Sequence, residues 1–384
     1  MSVRLAVYTD YAYRRDEDGV WAERAFALFL GGLGERLESL TVIGRLDPRR
    51  GEARYRLPAP VGFVGLPFYE SLARPVSALA AMARSVAAIW RALGDVDAIW
   101  LLGPHPLALA AVALALLRRR RVVLGVRQDL PAYVRARHPG RRSLQFAGAL
   151  LDFAYRALAR RLPTVVVGPA LARRYSGARE LCEIAVSLVP AAALAGRAEL
   201  EARSYSGELR VLSVGRLEQE KNPLLLAEVL AGLASGGGEW RLDVYGEGPL
   251  ADTLALRLRD LGVADHAELR GYAHHDELQR AYRDAHLLLH SSWTEGFPQV
   301  IVEALAAGLP VIASDVGGIR EAVGDSVALV PAGDAGAAEA ALRHLAEDAD
   351  ARGVLIERGL EYAAAHTQEA ELDRLAAFLE AEGT

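Results

Sequence analysis

Apolar positions in this chain come in short blocks whose period switches repeatedly between two and about 3.6 residues. Runs rich in Val, Ile, Leu and aromatic residues at 3–8, 40–43, 61–64, 98–102, 122–126, 164–167 and 185–189 predict strands. Helical spacing predicts helices over 20–37, 76–93, 106–117, 144–160 and 169–175. Two segments, the polar 9–19 and the Arg- and Pro-bearing 127–142, read as loops. An Ala-rich stretch at 190–206 has no clear period and is placed as the interdomain linker.

The alternation then restarts. Strands are expected at 210–214, 241–245, 267–269, 285–289, 311–313 and 327–330, with helices at 223–233, 250–261 and 276–284, another opening at Pro298, and helices to the end. Strand–helix alternation argues a parallel sheet covered on both faces. Two rounds of it predict an α/β chain of two doubly wound, Rossmann-like domains with ligands at the carboxyl ends of the strands, in a cleft between the two. The expected division is 1–195, 196–365, and a closing helical segment 366–384.

Composition narrows the class. With 384 residues, 52% hydrophobic and 24% charged, the chain is globular and long enough for two cores. Its one cysteine, Cys182, leaves no internal disulfide and nothing that points to an oxidising compartment. The first ten residues read as a strand and not a signal peptide, and the longest apolar run, 107–117, is too short to span a bilayer. A cytoplasmic location is the expectation. The net charge of -5 hides an asymmetry: residues 1–190 balance at +12 and the remainder at -17. The arginines at 118–121, 135, 137, 141, 142, 160 and 161 make the first half a candidate for an anionic acceptor or peripheral contact with a membrane face. An Arg-biased composition that merely solvates helices explains them as well. No aromatic-interleaved basic motif accompanies the charge, so nucleic acid is not expected as a partner.

The candidate chemistry lies in the second half. Glu295, Gly296, Phe297 and Pro298 join a predicted strand to a helix that Pro298 opens and Gly308 and Pro310 close. Such a helix start offers free N–H groups and a positive dipole end to an anion. Glu295 and Glu303 stand about 7–8 Å apart along that axis if the helix is regular. Carboxylates do not bind phosphate, so hydroxyls on either side of an anion, a sugar and a ribose, would suit them. A dipole-favoured Glu and a wet mid-helix Glu are the bland alternative. Lys221 is the only lysine in the chain, and it shares a strand-end loop with Gly215 and Arg216. An ammonium and a forked guanidinium together suit a pyrophosphate whose charge grows as it leaves. Gly246 and Gly248 follow the next strand and would let the backbone approach a ligand, while Gly317 and Gly318 offer further backbone donors. Gly31, Gly32 and Gly34 lie inside a helical pattern and are rejected as a dinucleotide fingerprint. In the first half His105 sits just past strand 98–102, as a functional group or a satisfied loop histidine. Arg127, Gln128 and Asp129 follow strand 122–126, and the loop ending at Gly19 is a second acceptor-side candidate.

Taken as a set, Gly215-Arg216 with Lys221, Gly246-Glu247-Gly248-Pro249, Glu295-Gly296-Phe297-Pro298 with Glu303, Ala307 to Ser314, and Gly317-Gly318 resemble a retaining nucleotide-sugar glycosyltransferase of family 4 (glycosyl transferases group 1), with the GT-B fold. The resemblance is strong over 211–331 and faint over the first domain. It implies that Arg216 and Lys221 hold the donor diphosphate, that Glu295 meets the sugar hydroxyls, and that Glu303 meets the ribose. Gly296, Phe297 and Pro298 would add backbone contacts to the phosphate. It also implies a metal-independent hexosyltransferase without a cofactor, the nucleotide-diphosphate sugar being a co-substrate. The acceptor would be a hydroxyl, lipid-linked or otherwise, in cell-surface polysaccharide, glycolipid or small-molecule glycoside synthesis. The final helix, near 372–380, would cross back onto the first domain. Two positions depart from the family: Arg127 stands where a His is usual, and Gly19 stands alone where a Gly-Gly pair is usual. An epimerase or phosphorylase of the same fold, and a catalytically silent nucleotide-sugar binder, remain open alternatives. A pyridoxal-dependent phosphorylase would have to find its Schiff-base lysine in Lys221.

Overall fold

The structure, a computed structural model, describes residues 3–49, 53–70, 75–138, 140–295 and 299–381. The chain divides into two compact units, Met1–Val186 with Glu369–Thr384, and Ser187–Gln368. The first unit therefore ends before the expected boundary at 195, and it regains the chain at 369 rather than 366.

Unit 1 contains, in chain order, β1 (Arg4–Arg15), β2 (Val20–Ala22), α1 (Phe26–Gly34), β3 (Ser39–Leu46), β4 (Tyr55–Arg56), β5 (Val61–Leu66), α2 (Pro75–Ala92), β6 (Ala98–Gly103), α3 (Pro106–Leu117), β7 (Arg121–Val126), α4 (Leu130–Arg137), α5 (Arg142–Ala159), β8 (Thr164–Val167), α6 (Pro169–Arg174) and β9 (Leu181–Ile184). Strands β5, β3, β1, β6, β7, β8 and β9 lie side by side in parallel. The order reverses between β1 and β6. Every residue of β6 is buried, as a strand covered on both faces requires. Its core gathers Ile99, Leu101, Leu107, Ala111, Leu124 and Val166.

Three expectations fail here. Residues 20–37 are not one helix, because β1 runs on to Arg15 and turns back into β2, and the helix begins only at Phe26. Asp16 fixes that turn: its Oδ1 accepts from the N–H groups of Asp18 and Gly19 and from Trp21 Nε1, at 2.9–3.0 Å. Gly19 is thus a hairpin-turn residue. The segment 127–142 is no loop throughout, since Asp129 caps α4 with Pro131 in its first turn. The strand expected at 185–189 lies earlier, at β9, where Cys182 and Ile184 point inward and Glu183 outward.

Unit 2 contains α7 (Arg197–Ala202), inside the expected linker, then β10 (Leu209–Val214), α8 (Leu224–Ser235), β11 (Trp240–Tyr245), α9 (Ala251–Asp260), β12 (Ala267–Gly271), α10 (His275–Asp284), β13 (Leu287–His290), α11 (Gln299–Ala306), β14 (Val311–Ser314), α12 (Ile319–Val323), β15 (Ala328–Val330), α13 (Ala335–Glu347) and α14 (Ala349–Ala365). Its sheet is parallel in the order β12-β11-β10-β13-β14-β15, the doubly wound arrangement. Alternation along each strand feeds two cores. Val211, Leu287, Leu289 and Ile312 join one, and Leu212, Leu288, Val311 and Ala313 join the other. The last helix, α15 (Gln368–Ala381), belongs to unit 1, where fully buried Glu371 accepts from the Ala185 N–H at 2.8 Å. No helix among the described residues is long and apolar enough to cross a membrane.

Candidate functional site

In a doubly wound sheet the two neighbouring loops where the strand order reverses diverge to opposite faces and leave a crevice at the strands' carboxyl ends. In unit 2 that point lies between β10 and β13. The loop after β10 carries Gly215, Arg216 and Lys221; the loop after β13 carries Ser291, Ser292 and Glu295. The sequence-predicted residues therefore meet, around a crevice of about 20 Å³ lined by Gly215, Arg216, Lys221, His290, Ser291 and Ser292.

Lys221 Nζ donates to Glu295 Oε1, and the same oxygen accepts from His290 Nε2 at 2.8 Å and Ser292 Oγ at 3.0 Å. The Glu295 side chain is 9% exposed. Burial pushes its carboxyl up, yet the His290 hydrogen bond and the Lys221 charge overcome this and hold its pKa at about 2. Since a carboxylate can only accept, His290 carries a proton on Nε2; its buried Nδ1 has no hydrogen-bond partner among the described residues. His290 is a site residue that the sequence reading missed. Ser291 Oγ ties the two loops together through the carbonyls of Lys221 and Asn222, at 3.1 and 3.2 Å. Arg216 is half-exposed and held by Glu218 at 2.5 Å and Glu220 at 3.1 Å.

Glu303 lies on α11, where Oε2 accepts from Tyr282 Oη at 2.8 Å. Burial drives its carboxyl up to about 7, and the tyrosine hydrogen bond offsets only part of this. The two carboxyls on either side of this loop are thus shifted in opposite directions, Glu295 down and Glu303 up. Gly296, Phe297 and Pro298, with the expected helix opening, lie outside the described residues.

The glycines after β11 have a packing job within the protein. A Cβ on Gly246, whose φ is +143°, would stand 1.8 Å from the Gly215 carbonyl oxygen, and one on Gly248 would stand 2.4 Å from that of Leu217. They let two loop backbones touch each other, and the Leu217 N–H donates to the Glu247 carbonyl at 2.9 Å. Gly317, at φ +55°, likewise admits the Glu295 carbonyl, where a Cβ would sit at 2.2 Å. Gly215 faces open space.

In unit 1 the reversal lies between β1 and β6, and His105 stands there as the cap of α3. Its Nδ1 accepts from the Leu107 N–H at 3.2 Å and meets Tyr8 Oη at 2.8 Å; Nε2 meets Tyr69 Oη at 2.8 Å. A backbone N–H can only donate, so Nδ1 is bare and Nε2 carries the proton. Burial brings His105 down to about 4. Both ring nitrogens are thus engaged by protein partners. Arg127 Nη2 binds Asp10 Oδ1 at 2.5 Å with its guanidinium over the Tyr11 ring, and Asp129 is the α4 cap, accepting from the Ala132 N–H at 2.9 Å. The three acceptor-side candidates, Gly19, Arg127 and Asp129, thus serve a turn, an ion pair and a cap.

With this geometry in place the comparisons are informative. Residues 199–362 match the family described as Glycosyl transferases group 1. That match lies within unit 2 and covers most of it. A stretch of 147 residues is 34% identical to the amylovoran biosynthesis glycosyltransferase AmsK of Erwinia amylovora, covering 36% of this chain and 36% of that protein. Another, of 120 residues, is 38% identical to a GDP-mannose-dependent alpha-mannosyltransferase of Mycobacterium tuberculosis, covering 31% and 29%. The chain thus spans about a third of the length of these relatives. Solved structures align over nearly all of it. Sucrose-phosphate synthase from Thermosynechococcus elongatus aligns with TM-score 0.72 at 17% identity, over 99% of this chain and 98% of that one. Anabaena HepE in complex with UDP-glucose aligns with TM-score 0.69 at 15% identity, over 99% and 100%. These likenesses establish the fold, which is GT-B: α/β, with two Rossmann-like domains.

Proposed function

We propose that the chain is a retaining, metal-independent glycosyltransferase of family 4 that moves a hexosyl group from a nucleoside-diphosphate sugar to an acceptor hydroxyl. The observation that carries this reading is the Lys221–Glu295 pair at the reversal point of the unit 2 sheet, with Arg216 lining the same crevice. Each ion pair there joins a group suited to phosphate with a group suited to hydroxyls, so a donor substitutes for the protein's own partners. The diphosphate takes Lys221 from Glu295, and Arg216 from Glu218 and Glu220. Glu295, freed but still ionised, accepts from sugar hydroxyls; Glu303 accepts from the ribose.

In the transfer step the bond from the anomeric carbon to the diphosphate oxygen breaks, and a bond to the acceptor oxygen forms on the same face. The acceptor's proton passes to the departing diphosphate. Arg216 and Lys221 stabilise the charge that grows on that leaving group, which is where most of the rate enhancement arises. Relatives that act in polysaccharide synthesis or on GDP-mannose, and a structural neighbour that binds UDP-glucose, support a nucleotide-sugar donor and a glycan or glycolipid acceptor. The test is a thermal-shift series with UDP, GDP, ADP and dTDP and their sugars, with EDTA throughout. A shift of several degrees for one base is expected. If none of these nucleotides shifts the protein, the donor assignment falls.

A further inference from the structure

Helix α5 buries one stripe, Gly148, Asp152, Tyr155 and Ala159, and leaves the other in water. The exposed stripe carries Phe146, Leu150 and Phe153 at helical spacing, 72%, 57% and 59% exposed. Tyr133 on the neighbouring α4 adds a fourth exposed apolar body. Single exposed apolar residues need no explanation, but a continuous stripe of large ones does. Both Tyr133 and Leu150 also line an apolar groove of about 800 Å³ that continues over Leu79, Met82 and Leu109.

Arginines frame this stripe. Arg141 and Arg142 stand at the start of α5, Arg160 and Arg161 at its end, and Arg135 on α4, all exposed. Among the described residues no acid pairs with any of the five. The two arginines that face acids here, Arg156 and Arg174, share Asp152.

We propose that unit 1 docks on an anionic lipid surface through the exposed faces of α4 and α5. The covering surface must offer hydrocarbon to Phe146, Leu150 and Phe153 and negative charge to the arginines around them. A bilayer with anionic headgroups offers both in parallel layers, which is how an interfacial amphipathic helix binds. A second copy packed by two-fold symmetry would set these arginines against each other, a like-charge contact without compensation. The groove then opens toward the acyl layer.

The experiment is co-sedimentation of the full chain with phosphatidylcholine vesicles, with and without phosphatidylglycerol, at low and high salt. Partition onto the anionic vesicles that weakens as salt rises is expected. F146S/L150S/F153S is expected to weaken it about tenfold or more, and R141E/R142E to abolish its preference for anionic lipid. All three residues of the triple variant are exposed, and circular dichroism checks that it folds; Phe146→Ser alone serves if it does not. Equal partition onto neutral and anionic vesicles overturns the proposal. So does triple-variant binding equal to wild type, or a stripe-dependent dimer in light scattering with no vesicle binding. So does a stripe that takes up an acidic amphipathic peptide but no vesicle. Binding is read without nucleotide, and so independently of the donor assignment.

Discussion

At the reversal point of the unit 2 sheet, between β10 and β13, the meeting side chains are ionised and paired with partners that a ligand can replace. At the corresponding point of unit 1, between β1 and β6, a histidine is held neutral between two tyrosines, and the nearby carboxylate of Asp10 is claimed by Arg127. The topology offers a crevice in both units. What differs is how committed its lining is. Glu295 is served by a flexible lysine, a histidine and a serine hydroxyl that can each turn to something else, whereas His105 also caps a helix and has no spare nitrogen. A binding site needs exchangeable contacts, and a scaffold needs contacts that are costly to lose.

The comparison breaks most sharply at Lys221. Lys221→Ala removes the one ammonium that can turn from Glu295 to a diphosphate, and losing a charge-assisted partner of this kind costs about 2–5 kcal/mol. Nucleoside-diphosphate affinity is expected to fall about a hundredfold or more in isothermal titration. The same change strands a largely buried carboxylate and lowers stability. K221A/E295Q separates the two effects: it should recover stability and still fail to bind. Nucleotide binding within a few fold of wild type in both variants would leave the pair a structural one, and the two crevices would no longer differ.

The opposite pattern is expected at His105. His105→Phe leaves the Tyr8 and Tyr69 hydroxyls and the Leu107 N–H without their partner, and buried unsatisfied polar groups cost about 1–3 kcal/mol each. A loss of about 3 kcal/mol or more in denaturant unfolding, with donor affinity unchanged, is the expected result. Were stability unchanged and sugar transfer abolished, His105 would be acting on substrate, and the contrast between the units would have to be redrawn.

Much of unit 2 could be read from residue types, because its chemistry is local to loops. Lys221 is conspicuous as the only lysine, and Glu295 and Glu303 by their spacing around one turn. His290 escaped because it ends an apolar strand, so periodicity has nothing further to say about it. Its role depends on the chain folding back five residues to Glu295. The signal available was a polar residue at the carboxyl end of a buried strand. The His105 clamp was less legible still, for its tyrosines lie 97 and 36 residues away in sequence. Gly246 and Gly248 show the converse limit, since a glycine announces close approach without saying what approaches. The α4 helix was hidden by reading Pro131 as a loop former, although Pro in a first turn behind an Asp cap is a helix start.

The finest division between the two carboxylates of unit 2 is one of pH. Glu295, held at about 2, contributes stability that is present above its unfolded value of 4.5 and lost only as pH falls toward 2. Glu303 runs the other way. With its pKa raised from 4.5 to about 7, its contribution to stability is fully present below 4.5 and lost as pH rises through 7. If Glu303 grips ribose hydroxyls as a carboxylate, nucleotide binding favours the deprotonated form. Affinity should therefore rise between pH 6 and 8, by up to about tenfold for a group titrating near 7. The nucleotide's own phosphate titrates in part of this range, so the diagnostic quantity is the difference from Glu303→Gln, which should lose the Glu303 contribution to the slope. In the same window stability should fall as affinity rises, and Glu303→Gln should flatten both. If Glu303→Gln kept the full slope of affinity against pH, the ribose contact would belong to another group, and Glu303 would be only a part-buried acid tied to Tyr282.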